Sequence, residues 1–159
     1  MNAIDPLWVA EFCGLFWGEG NFMFDVMNRQ IRKYPTFTIR VRCRIVSRED
    51  NVEMLDNIWS VLGGNLTTHK GHTYTSWNGK EYTNHRQIVW QVQSRDAVER
   101  ILDLLDTGRI PCKKRLEVPI MREAIALMKA RRYSYTDEQR EQARDIQARL
   151  YALRHYTGC

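Results

Sequence analysis

Alternation and helical stripes divide the chain into elements. From Asn21 to Arg29, Phe22, Phe24 and Val26 share one side and Asn21, Asp25 and Arg29 the other, which predicts a strand. Arg32 to Pro35 reads as a loop. Thr36 to Ile45 alternates most cleanly, with Phe37, Ile39, Val41, Cys43 and Ile45 on one side and Thr36, Thr38, Arg40, Arg42 and Arg44 on the other. The polar, β-branched stretch Asn65 to Trp77 and the alternating stretch Tyr82 to Gln93 flank Asn78-Gly79, a hairpin signal. In the returning strand Ile88, Trp90 and Val92 face one way and Gln87, Gln91 and Gln93 the other.

Helical spacing marks the remaining segments. Asp5-Pro6 reads as an N-cap and first helical residue. The helix that follows is apolar nearly all round, ends at Gly18 and Gly20, and is expected to be buried on most sides. Ser47 to Asp50 has capping-box spacing ahead of the stripe Val52, Leu55, Ile58, Trp59 and Leu62, which Gly63-Gly64 ends. Ala97 to Leu105 predicts a short helix ending near Gly108. Another helix follows Lys113-Lys114-Arg115, with Pro119 as an awkward interior residue. Thr136 and Gln139 form a capping box for a last helix carrying Ala143, Ile146, Leu150 and Leu153. The order α-β-β-α-β-β-α plus further helices predicts an α+β fold, a four-stranded antiparallel sheet with one free face. The expectation is a single domain over residues 1–159, with a core at about 6–125 and a helical extension at about 126–159.

Composition narrows the class. The chain has 159 residues, 43% hydrophobic and 27% charged, which suits a packed core. No apolar run suits a membrane span. The N-terminal stretch has no basic region and carries Asp5 and Glu11, so an intracellular, non-secreted protein is expected, in a bacterial or phage cytoplasm or in an organelle. Cys13, Cys43, Cys112 and Cys159 are far apart and read as reduced thiols. Net charge is +5, and its distribution carries more information than its size. Seven basic residues lie between Met27 and Arg48 without an acid: Arg29, Arg32, Lys33, Arg40, Arg42, Arg44 and Arg48. Such a run attracts a polyanion, and the Thr36, Thr38, Arg40, Arg42, Arg44 face reads as a DNA-binding strand. Thr67, His69, Gln87, Gln91 and Gln93 either add contacts there or are ordinary polar strand positions. His69 and His72 are spaced to opposite faces of a strand, which argues against a metal pair. No Gly-rich phosphate loop or nucleophile motif is present.

Ala10, Gly14 and Gly18 recur every four residues along the first helix. This face either admits another backbone closely or lets the helix settle on its own sheet; spacing does not choose. Glu19 then places a carboxylate at a helix C-terminus, an unfavourable end for an anion. It is either a solvated turn acid or a functional one.

Phe12-Cys13-Gly14-Leu15-Phe16-Trp17-Gly18-Glu19-Gly20, followed by Asn21-Phe22, resembles the motif of the LAGLIDADG homing endonucleases. The wider resemblance, in element order and length, covers about Pro6 to Ile125. Trp17 departs from the motif, which has an acid there. The resemblance implies a site-specific, intron-encoded double-strand DNA endonuclease. Because this chain has a single motif, it implies a homodimer joined through Ala10, Cys13, Gly14, Trp17 and Gly18. It implies Mg²⁺, with Mn²⁺ as substitute, at Glu19 and the Gly18 carbonyl. It also implies a basic residue at the scissile phosphate, best matched by Lys113 and next by Lys114. Ser47 occupies a position where relatives orient water, although it also reads as a helix cap. The competing reading is a non-cutting nucleic-acid binder on the same scaffold, either a maturase acting on intron RNA or a transcriptional regulator.

Overall fold

The structure is a computed structural model and describes residues 4–31, 34–107, 113–131 and 133–155. Arg32, Lys33, Cys112 and Cys159 lie outside them. The elements are α1 (Pro6–Glu19), β1 (Gly20–Ile31), β2 (Tyr34–Arg48), α2 (Val52–Leu62), β3 (Asn65–His69), β4 (His72–Thr75), β5 (Glu81–Asn84), β6 (Gln87–Val92), α3 (Arg95–Thr107), α4 (Glu117–Ala130) and α5 (Asp137–His155). Short 3-10 turns, Glu49–Asn51 and Lys113–Leu116, precede α2 and α4.

The main sheet runs β1-β2-β6-β3 and every pairing is antiparallel. Its covered face carries Phe22, Phe24, Ile39, Val41, Cys43, Ile45, Ile88, Trp90 and Val92, all buried. Five helices supply the rest of the core, including Phe12, Phe16, Leu55, Ile101, Met121 and Ile146. Burial raises the thiol pKa of Cys13, and that of Cys43 further; both are free. This α+β layout matches the sequence expectation. The structure refines it where one long returning hairpin was expected. β4 and β5 form a separate two-stranded sheet. Lys70-Gly71 separates β3 from β4, and the Arg86 carbonyl accepts from the Glu49 N–H instead of a strand partner. The Asn78-Gly79 turn forms as expected, with Gly79 at φ +78°.

Several local expectations hold and others shift. Asp5 accepts from the Leu7 N–H at 3.0 Å, with Pro6 opening the helix. Thr136 and Gln139 cap α5 reciprocally at 3.1 and 3.2 Å. Ser47 caps nothing: it is still in β2, and its hydroxyl accepts from Asn51 at 2.8 Å. Pro119 falls in the first turn of α4, where an N–H has no helical partner, so it is accommodated. The apolar first helix buries only one side, through Phe12, Cys13, Phe16 and Trp17; Leu7, Ala10, Glu11, Gly14 and Gly18 are exposed.

α5 joins the core through Ala143, Ile146 and Leu150 and runs along the sheet-edge strand β1. There Gln147 donates to the Phe24 carbonyl at 3.1 Å and Arg154 to the Phe22 carbonyl. These bonds satisfy edge acceptors that would otherwise face water or another chain.

Candidate functional site

Gly20 sets the position of Glu19. A Cβ on Gly20 would lie 2.5 Å from the Phe16 carbonyl oxygen and 2.6 Å from its ring. Only glycine lets the chain leave α1 and enter β1 in one step, so the exposed Glu19 stands at the junction of helix and sheet. Gly18 does not stop the helix, which runs through Glu19. Gly14 and Gly18 differ from Gly20 in kind: a Cβ on either would meet nothing within 4 Å in this chain. Packing on their own sheet therefore does not require them to be small.

The other residues assigned to that helix face divide. Ala10, Gly14 and Gly18 are exposed along one side of α1. Cys13 and Trp17 are corrected: both are buried inside the protomer and cannot present their side chains to a second copy. The Cys13 thiol donates to the Leu104 carbonyl at 3.4 Å, and Trp17 packs edge-on against Phe16. The apolar residue at the motif's variant position thus fills core.

Beside Glu19 lies a cavity of about 310 Å³ lined by Glu19, Gly20, Asn21, Lys114, Glu117, Leu153 and Arg154. The Lys114 ammonium donates to the Gly18 carbonyl at 2.9 Å. Lys113 belongs to the same 3-10 turn, but only its backbone is described. Glu117 is buried and ion-paired with Arg154 at 3.1 Å. Asn21, Glu117 and Arg154 were missed as site residues. The charge pair joins positions 37 residues apart, so local pattern carried no sign of it.

The oxygens of Glu19 and the Gly18 carbonyl suit a hard divalent cation. Among the described residues no group of three His, Cys, Asp or Glu gathers as a metal site.

The sheet's free face carries the expected polar residues in register. Thr38 pairs with Met27, Arg40 with Asp25, Arg42 with Met23 and Arg44 with Asn21. Thr36 pairs with Arg29, of which only the backbone is described. On the other side Gln91 lies between Arg44 and Asn65, and Gln87 between Arg48 and His69. Thr67 pairs with Val89 in the adjoining row. Arg40 and Arg44 make no ion pair among the described residues, whereas Arg42 is ion-paired with Asp25, each side chain 25% exposed. Asp25 was legible as a residue of this face; its hold on Arg42 needed the register.

Among curated proteins no sequence matches this one. Solved structures match its fold. I-SmaMI bound to an uncleaved DNA target in the presence of calcium ions aligns with a TM-score of 0.66 at 18% identity, over 94% of this chain and 46% of that one. The homing endonuclease I-TnaI aligns with a TM-score of 0.62 at 16% identity, over 96% and 97%. I-CvuI, in complex with its target and Ca, aligns with a TM-score of 0.65 at 15% identity, over 92% and 82%. This chain spans about half the length of I-SmaMI and nearly all of I-TnaI. The LAGLIDADG endonuclease family model matches residues 12–93, from within α1 through the end of β6, more than half of the sequence. The chain belongs to the LAGLIDADG endonuclease family.

Proposed function

We propose that this chain is half of a homodimeric, site-specific double-strand DNA endonuclease of the homing type, acting on a long, roughly palindromic target. The observation that carries the proposal is Glu19 at the base of a helix whose exposed small residues have empty space in front of them. Two such helices can approach closely, and a two-fold dimer presents two copies of Glu19 and a doubled basic sheet. I-SmaMI and I-CvuI, which share the fold, were solved with DNA targets and calcium, and these facts support nucleic acid and a divalent cation as partners.

Glu19 and the Gly18 carbonyl would hold Mg²⁺, with Mn²⁺ as substitute. When bound, such an ion would supply a more acidic bound water and offset negative charge at the phosphate. Glu19 binds and orients through its carboxylate. A lysine ammonium offsets the charge of the pentavalent phosphate. We assign that role to Lys114, which lines the same cavity as Glu19; its ammonium holds the Gly18 carbonyl and would turn to the phosphate when a cation takes that oxygen. Lys113, the first sequence candidate, stands next to it on the same 3-10 turn with only its backbone described. Arg40 and Arg44 read base edges or phosphates from the sheet, with Thr36, Thr38, Thr67, His69, Gln87 and Gln91 around them, and in the sequence Arg29, Arg32 and Lys33 belong to the same basic run.

The test is cleavage of DNA carrying the uninterrupted insertion site of the chain's own gene, with and without Mg²⁺. The wild-type dimer should cut, and Glu19→Gln should bind the same DNA in calcium while cutting at least a hundredfold more slowly, on the order expected for losing a charge-stabilising group. A folded wild-type dimer that binds intron RNA or DNA without metal-dependent cutting would sink the proposal in favour of a maturase or regulator.

A further inference from the structure

The cavity beside Glu19 has one wall from α5, which lies beyond the matched segment. Arg154, near the end of that helix, reaches across to two other elements. Its guanidinium donates to the Phe22 carbonyl in β1 and to the Glu117 carboxylate at the start of α4. Phe22 is three residues after Glu19, and Glu117 is three residues after Lys114. One planar group therefore joins the two segments that carry the proposed metal ligand and the proposed phosphate-binding lysine. We propose that Arg154 is a positioning residue, which sets the distance between Glu19 and Lys114 by tying β1 to α4. The inference rests on the nuclease reading of that pair.

Two features favour this role over a plain surface ion pair. Glu117 is 7% exposed, so its charge needs a partner, and Arg154 supplies one from a side chain itself 28% exposed. Both bonds come from one guanidinium nitrogen, Nη2, whose two N–H groups point in fixed in-plane directions, so it holds a carbonyl and a carboxylate at once in one geometry. A lysine offers charge but no rigid fork. Gln147, one heptad earlier on α5, holds the Phe24 carbonyl and keeps the helix on β1 independently of Arg154. Exchange at Arg154 thus tests geometry more than docking.

The experiment compares wild type, Arg154→Lys and the double variant Glu117→Gln with Arg154→Met. Arg154→Lys preserves the charge pair, and the double variant removes both charges, so neither leaves a buried ion alone. Each is measured for target affinity in calcium, single-turnover cleavage in magnesium, and amide hydrogen exchange. Both variants should bind within about twofold of wild type yet cleave about ten- to a hundredfold more slowly, as small misplacements do. Amides of residues 19–22 and 114–118 should exchange faster while those of β2 and β6 stay protected. Equal losses in affinity and rate, or unchanged exchange at both segments, would overturn the proposal. If the wild type itself fails to cut, the nuclease reading fails, and the exchange pattern alone decides whether Arg154 ties the two segments.

Discussion

Three glycines within seven residues of α1 and its exit serve two purposes. Gly14 and Gly18 face empty space, whereas Gly20 is pressed against the Phe16 carbonyl and ring. Substitution separates the two roles. Gly20→Ala puts a methyl group into backbone and core, and neither can yield without moving the junction that carries Glu19. We expect it to destabilise the fold by about 1–3 kcal/mol, the usual range for overpacking. Urea unfolding gives the value, and an unchanged midpoint would show that the junction relaxes freely. The same scale explains Trp17 and Cys13. Both lie in the motif, and from spacing alone both sat next to the small-residue face. In the structure they turn inward, because a helix packed by one side must bury some of its motif.

At the scale of elements, the strands were legible because a half-buried sheet writes period two into its sequence. β2 shows this best: Ile39, Val41, Cys43 and Ile45 are buried while Arg40 is exposed. Helix starts were legible at Asp5 and Thr136, where capping chemistry marked them, but not at Ser47, whose capping-box spacing lies in a strand end. Long-range geometry was not. The division of the second hairpin, the docking of α5 on β1 and the Arg154–Glu117 pair depend on contacts far apart in sequence. So does the pairing of Asp25 with Arg42, which forms diagonally across β1 and β2 although Arg40 is Asp25's direct neighbour. An acid on a basic sheet holds one arginine and lowers the positive charge offered to a polyanion. Asp25→Ala should release Arg42 and tighten non-specific DNA binding at low salt. The slope of log affinity against log salt should steepen by about one unit, as for one added phosphate contact. Stability should change by less than about 1 kcal/mol, since the pair is part-exposed. A slope that does not move would show that Arg42 already reaches phosphate from its place beside Asp25.

At the scale of the molecule, one chain presents one Glu19, one Lys114 and one polar sheet face. Its described residues gather no metal cluster. The proposed cutting of both strands of a duplex calls for two such sets, and the exposed small residues of α1 are where we propose that a second copy approaches. Gly14→Leu tests this directly. A Cβ at Gly14 meets nothing within 4 Å in its own chain, the position is exposed, and leucine favours a helix interior more than glycine by about 1 kcal/mol or less, so the protomer should fold at least as well. Between two helices packed along Gly14 the same side chain would clash. The variant should keep its helical circular-dichroism signal, scatter light as a monomer where the wild type scatters as a dimer, and bind a full target about a hundredfold more weakly. That loss is the effective-concentration gain given up when two half-sites are no longer held together. Cleavage should vanish with the dimer although Glu19 and Lys114 remain. A Gly14→Leu protein that stays dimeric would move the interface away from α1 and separate Glu19 from its counterpart.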